Sequence, residues 1–286
     1  MLADVLADLR MPPAPVPGWP FPVHIGLVEQ LCDALSRPQP VRYAADGWLH
    51  ASQLYDLCTR QAAIVTEQVP PPQARARVID VGPRVVFDVG KAVAWVVRQH
   101  YLGPMGLLYG VWVCRCGAAV EGLMPTAACA CGGTDWQYRE TVVQNADLKV
   151  IGSIDGLLPP RPELGIGMGD LEIKSMEWLL FRNLTAPVAA HVAQLQTYLA
   201  LDGREWGVIL YVSKSLDTTP FKEYGMKKNP AHEAWIRSVV EEVRRGGEKK
   251  CRHAETKRAL NCFARSACFF GATIGPGRTG ALGDSA

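Results

Sequence analysis

Apolar residues recur at helical spacing in three stretches before residue 104: VHIGLVEQLCDAL (23–35), SQLYDLCTRQAAIV (52–65) and FDVGKAVAWVVRQHYLG (87–103). Ser52 offers an N-cap for the second, and the third has apolar residues on most faces, which predicts a largely buried helix stopping near Gly103 with His100 near its end. From Leu107 the period changes to that of strands: LLYGVWV, TDWQYRETVVQ, LKVIGSIDGLL and GDLEIKSM are rich in aromatic and β-branched residues and would form a mixed sheet. APVAAHVAQLQTYLALDG (186–203) returns to helical spacing with Gly203 at its stop, then come strands in EWGVILYVSK and FKEYGM and a last helix over about 230–245.

The ends are patterned differently. Residues 11–20 hold five prolines, an extended leader with few backbone donors, and the final 16 residues contain five glycines and almost no large apolar side chain, the composition of a disordered tail. The predicted organisation is a leader and helix over 1–43, a core over 44–225, a C-terminal helix and cysteine segment over 226–270, and the tail over 271–286.

The 286 residues suffice for a sizeable core, and 48% hydrophobic with 20% charged residues excludes a chain disordered throughout. No apolar run reaches membrane-spanning length, and Asp4 and Asp8 stand where a secretory signal would be basic and then apolar, so a cytoplasmic protein without membrane contact is expected. With 30 basic against 28 acidic residues the net charge of +2 cannot by itself hold a polyanion. Residues 244–258, with seven Lys or Arg against two Glu, could supply a local phosphate-tracking patch or a solvated helix end.

Nine cysteines fall in clusters, which favours metal over disulfides. Cys114-x-Cys116 and Cys129-x-Cys131 form two knuckles within 18 residues, each followed by glycine, and read as a Zn²⁺ ribbon inserted over 110–140. Cys251, Cys262 and Cys268 form a late trio and Cys58 lies in an early helix; four such thiolates can hold an iron-sulfur cluster, hold zinc or remain buried thiols. Cys32, in an apolar helical stripe, reads as a buried thiol.

Asp155 lies in GSIDG and Glu172-Ile173-Lys174 in GDLEIKS, each within a predicted strand. Alternate strand residues share a face, so Glu172 and Lys174 point one way while Leu171 and Ile173 point into a core. Two carboxylates and an ammonium can then meet as a site for a hard divalent cation, a set suited to phosphodiester hydrolysis; an exposed strand face with a surface Glu/Lys pair is the plainer reading of the same residues. Gln194 and Tyr198, four apart, share one face of the next helix.

Taken in order, His100, Asp155, Glu172-Ile173-Lys174 and Gln194xxxTyr198 resemble the PD-(D/E)XK nuclease superfamily in its RecB-like branch, over roughly residues 50–225. Cys58 with the late trio is similar to the split iron-sulfur ligand set of AddB and of the CRISPR-associated RecB-like exonucleases, with wider spacing in the trio. The resemblance implies an α/β restriction-endonuclease-like mixed sheet flanked by helices. It implies that His100, Asp155, Glu172 and the Ile173 carbonyl bind Mg²⁺ or Mn²⁺, that Lys174 is catalytic, and that Gln194 and Tyr198 contact DNA or position the site. An isolated histidine near a helix end also serves as a capping or core residue, and His191 is read that way. A [4Fe-4S] cluster on Cys58, Cys251, Cys262 and Cys268 follows from the same likeness. The implied function is metal-dependent cleavage of DNA, chiefly exonucleolytic on single strands or ends, in recombination, repair or phage DNA metabolism, with a recombination or replication protein as a possible partner. The competing expectation is a catalytically silent DNA-binding or recruitment module of the same fold.

Overall fold

The computed structural model describes residues 47–55, 62, 81–215 and 220–245. The leader, Cys32, Cys58, the late cysteine trio, the tail and most of the basic patch lie outside the described residues.

The fold is mixed α/β. Among the described residues ten strands run in chain order: β1 (Leu49–His50), β2 (Tyr109–Cys114), β3 (Ala119–Leu123), β4 (Trp136–Arg139), β5 (Thr141–Asn145), β6 (Val150–Ile154), β7 (Gly156–Leu158), β8 (Gly169–Met176), β9 (Trp206–Ser213) and β10 (Phe221–Lys227). Four α-helices of the described residues accompany them: α1 (Val81–Val96), α2 (Trp178–Arg182), α3 (Ala189–Asp202) and α4 (Pro230–Arg245). The large sheet has the order β10-β9-β8-β7-β2-β3, with β4 on the other side of β2 from β3, and the small one β1-β6-β5. In the large sheet β8 and β9 are parallel, joined by the crossover through α3, and their other neighbours are antiparallel.

Period-2 alternation sorts β8 between two cores. Leu171 and Ile173 pack with Ala94 and Val97 of the α1 side, together with Leu108, Trp112 and Val212. On the opposite side Leu195, Tyr198 and Leu199 of α3 pack with Ile154, Leu157, Ile209 and Tyr211. A third cluster joins Ile236, Val240 and Val243 of α4 to Leu49, Leu54, Leu148 and Val150. Gly203, with φ +81°, ends α3 in the left-handed conformation its sequence position predicts.

Ser52 lies inside a short 3₁₀ turn, Ala51–Gln53, and most of the helix expected over 52–65 lies outside the described residues. One expectation needs correction. The third predicted helix is not buried on most faces, since Val85, Val86, Phe87 and Val89 are exposed; Ala94 and Val97 join the core on the sheet side, while Phe87 lies outside it with Lys91 Nζ 4.4 Å from its ring centroid. This helix also changes pitch. Val97–Leu102 forms a π-helical turn in which the Gly103 N–H donates to Arg98 O at 2.9 Å, five residues back.

Candidate functional site

Asp155 is the single residue between β6 and β7, where the chain leaves the small sheet and enters the large one. The β7 ladder with β8 pairs Gly156 with Leu171 and goes no further, so the Ile173 N–H looks past the end of β7. Asp155 fills that gap: its Oδ2 accepts the Ile173 N–H at 2.8 Å and its Oδ1 accepts from Arg98 Nη1 at 2.8 Å.

Glu172, only 2% exposed, lies on the α3 face of β8 with Lys174. Lys174 Nζ is 2.5 Å from Glu172 Oε1 and donates to Gln194 Oε1 at 3.0 Å. Gln194 in turn donates from Nε2 to the Tyr198 hydroxyl at 2.6 Å. The chain Glu172–Lys174–Gln194–Tyr198 thus runs from strand to helix without a break, because residues two apart on β8 and four apart on α3 each present one face.

Burial raises the affinity of this set for protons. Burial first, then the charge of Asp155, pushes the Glu172 carboxyl up to about 8. Asp155 is shifted upward too, by burial, against the Ile173 N–H and the charges of Arg98 and Lys174. Tyr198 is shifted upward by burial and by Glu172, so its hydroxyl stays protonated. Two buried acids that oppose each other's ionisation, beside one lysine, form a hard oxygen donor pair whose charge a divalent cation would relieve.

The expected residues do not all converge. Glu172, Lys174, Gln194 and Tyr198 are joined by the contacts above and Asp155 bonds to the backbone N–H of Ile173 between Glu172 and Lys174, but His100 is exposed and packs edge-on to Trp95, ring centroids 5.0 Å apart. The side chain that this helix extends to Asp155 is Arg98, which lies in the π turn and also pairs through Nη2 with Glu140 at 3.0 Å. Arg98 was not legible in the sequence, since its partners lie 42 and 57 positions away. Tyr198 is 2% exposed, which leaves it a positioning role and no open face for DNA. His191, one turn before Gln194, bonds through Nδ1 with the Tyr211 hydroxyl at 2.9 Å; burial and the charge of Lys174 lower it to about 4, so it is neutral.

The cysteine quartet is gathered. Cys114, at the end of β2, and Cys116, Cys129 and Cys131 place their sulfurs all within 4.8 Å of one another, with Cys114–Cys131 and Cys116–Cys129 each at 3.6 Å. Tight turns make both knuckles: Gly117 N–H donates to Cys114 O and Gly132 N–H to Cys129 O. A tetrahedral ion with metal–sulfur bonds of about 2.3 Å would set its sulfurs roughly 3.8 Å apart, so the donor set fits Zn²⁺. The Cys116 thiol is lowered to about 7, first by the backbone at Ala118 and then by its neighbouring thiols.

A separate buried carboxylate, Asp170, is the second residue of β8. Its Oδ1 accepts from Arg204 Nη1 at 3.1 Å, its Oδ2 has no hydrogen-bond partner among the described residues, and Arg204 also pairs with Asp202. Burial and the charge of Asp202 push Asp170 up to about 8.

No family model matches the chain, and no curated protein matches it. Among solved structures it is similar in outline to SSO0001, at 15% identity and TM-score 0.47, over 86% of this chain and 97% of that one. It is similar also to the alkaline exonuclease LHK-Exo from Laribacter hongkongensis, at 16% identity and TM-score 0.43, over 76% and 91% of the two chains. The same exonuclease in complex with dAMP aligns at 18% identity and TM-score 0.40, over 71% and 89%. At these values the likeness carries no assignment of chemistry, which rests on the side chains. Among the described residues no helix is long and apolar enough to cross a membrane.

Proposed function

We propose that the protein is a divalent-metal-dependent DNA nuclease of the PD-(D/E)XK type, in its RecB-like branch, acting from the ends of single strands in recombination, repair or phage DNA metabolism. The observation that carries this reading is that Asp155 bonds to the Ile173 N–H, between Glu172 and Lys174, and that this lysine is held by Glu172 and Gln194. An exposed strand face with a surface ion pair would leave Glu172 solvated, and it is buried.

The donors proposed for Mg²⁺ or Mn²⁺ are Asp155, Glu172 and the Ile173 carbonyl, which leaves β8 on the same side as the N–H that Asp155 accepts. When bound, the cation would lower the pKa of water and neutralise charge on the scissile phosphate. Lys174 is aimed by two partners, so its ammonium can stabilise charge building on the phosphoryl oxygens without first being ordered. Gln194 holds Lys174, and Tyr198 holds Gln194. In the same reading Cys114, Cys116, Cys129 and Cys131 hold Zn²⁺, and Cys58, Cys251, Cys262 and Cys268 hold a [4Fe-4S] cluster.

Incubation with Mg²⁺ of end-labelled linear single strands beside covalently closed single-stranded circles tests the reading. Linear strands should be shortened and circles spared. Cutting of circles would make the enzyme an endonuclease, and binding of both without hydrolysis would replace the nuclease by a DNA-binding module.

A further inference from the structure

The ribbon and the carboxylate site are joined by one strand, β4. At one end of β4, Trp136 pairs in register with Cys114, and its indole N–H donates to Ala127 O in the segment that leads to Cys129. At the other end Glu140 directly follows Arg139 and takes one arm of Arg98, whose other arm holds Asp155. Between them Gln99 clamps the strand like a neighbouring peptide: its Nε2 donates to Trp136 O, and its Oε1 accepts the Tyr138 N–H at 3.2 Å. Gln99 is buried, so water cannot readily replace either bond.

We infer that the thiolate quartet and the nuclease site form one coupled unit, in which Zn²⁺ on Cys114, Cys116, Cys129 and Cys131 fixes β4, and β4 fixes Asp155 through Gln99, Glu140 and Arg98. Gln99 and Arg98 are then positioning residues, and the ribbon sets how well the carboxylates hold their own cation. The inference rests on the nuclease reading for the identity of Asp155 as a metal ligand. Its physical basis is that orienting partners outside a ligand set govern its affinity, commonly by about 10–100-fold. Gln99 is the informative residue to change, because it is neutral and its loss leaves the charge around Asp155 as it was.

The test is a Mn²⁺ titration of the full chain, purified with zinc, followed by electron paramagnetic resonance. Asp155→Asn identifies the carboxylate-bound ion; if that variant binds Mn²⁺ as the unaltered protein does, the metal-site reading itself fails. Given that signal, Cys131→Ser should lose one equivalent of zinc and weaken Mn²⁺ binding about tenfold, and Gln99→Leu should weaken it with zinc retained. The double variant should be no weaker than Cys131→Ser alone, since both act along one path. If the cysteine variant does not fold, zinc is removed from the unaltered protein with a chelator under reducing conditions and then restored, and Mn²⁺ affinity should fall and recover. Unchanged Mn²⁺ affinity on zinc loss, or additive effects of the two substitutions, would overturn the coupling while leaving the nuclease reading intact.

Discussion

Lys174 shows how the site works at the scale of a residue. A lysine has four rotatable side-chain bonds, and here Glu172 and Gln194 remove much of that freedom before any substrate arrives. Lys174→Ala should therefore cost on the order of a hundredfold in cleavage rate while DNA affinity changes little, as a rate and binding comparison would show. Gln194→Ala leaves the ammonium held by Glu172 alone, and a loss on the order of tenfold is expected in the same assay. Asp170 belongs to stability. Its carboxyl is raised from an ordinary value near 4 to about 8, so between those limits the folded chain holds a proton that the unfolded chain has released. That contribution is complete below about pH 4 and is lost as pH rises through about 8. Asp170→Asn, which cannot ionise, should lose less Tm than the unaltered protein between pH 5 and pH 8.5, at roughly 2–4 °C for each kcal/mol. Parallel pH profiles of Tm would contradict this.

At the scale of elements, the glycine-bearing GSID strand and the helix α3 depend on each other. Gly152, three residues before Asp155, lies where a Cβ would run into the Tyr198 ring and meet Ala51, so the glycine of GSID is the space in which the tyrosine of QLQTY sits. Gly152→Ala should destabilise the fold by about 1–3 kcal/mol, measured by urea denaturation, and a neutral result would show that α3 can shift. The face-sharing of Glu172 with Lys174, and of Gln194 with Tyr198, was legible because strand and helix periods are regular. The end of α1 was not. A π turn from Val97 breaks the 3.6-residue count that would relate His100 to the rest of the helix, and no residue in VRQHYL announces it. Arg98, two positions earlier, meets Asp155 while His100 meets Trp95.

For the whole molecule, the sheet order explains why the site is where it is. Asp155 stands at the passage from one sheet to the other, and Glu172 stands on the strand that separates two hydrophobic cores. Strand positions could be read from apolar alternation, and the knuckles from cysteine spacing, since both are local. The pairing of β2 with β4, the crossing at Asp155 and the Arg98 bridge depend on contacts far apart in sequence, which one chain's pattern does not encode. Asp155, Glu172 and Lys174 are proposed to act together in the hydrolysis of DNA. The most direct test is release of nucleotides from linear DNA with Mg²⁺, by the unaltered protein and by Asp155→Asn, Glu172→Gln and Lys174→Ala purified in parallel. Hydrolysis should be stopped by EDTA and lowered by about a hundredfold or more in each variant; equal rates in all four proteins, or no hydrolysis with either Mg²⁺ or Mn²⁺, would rule out a nuclease site at these residues.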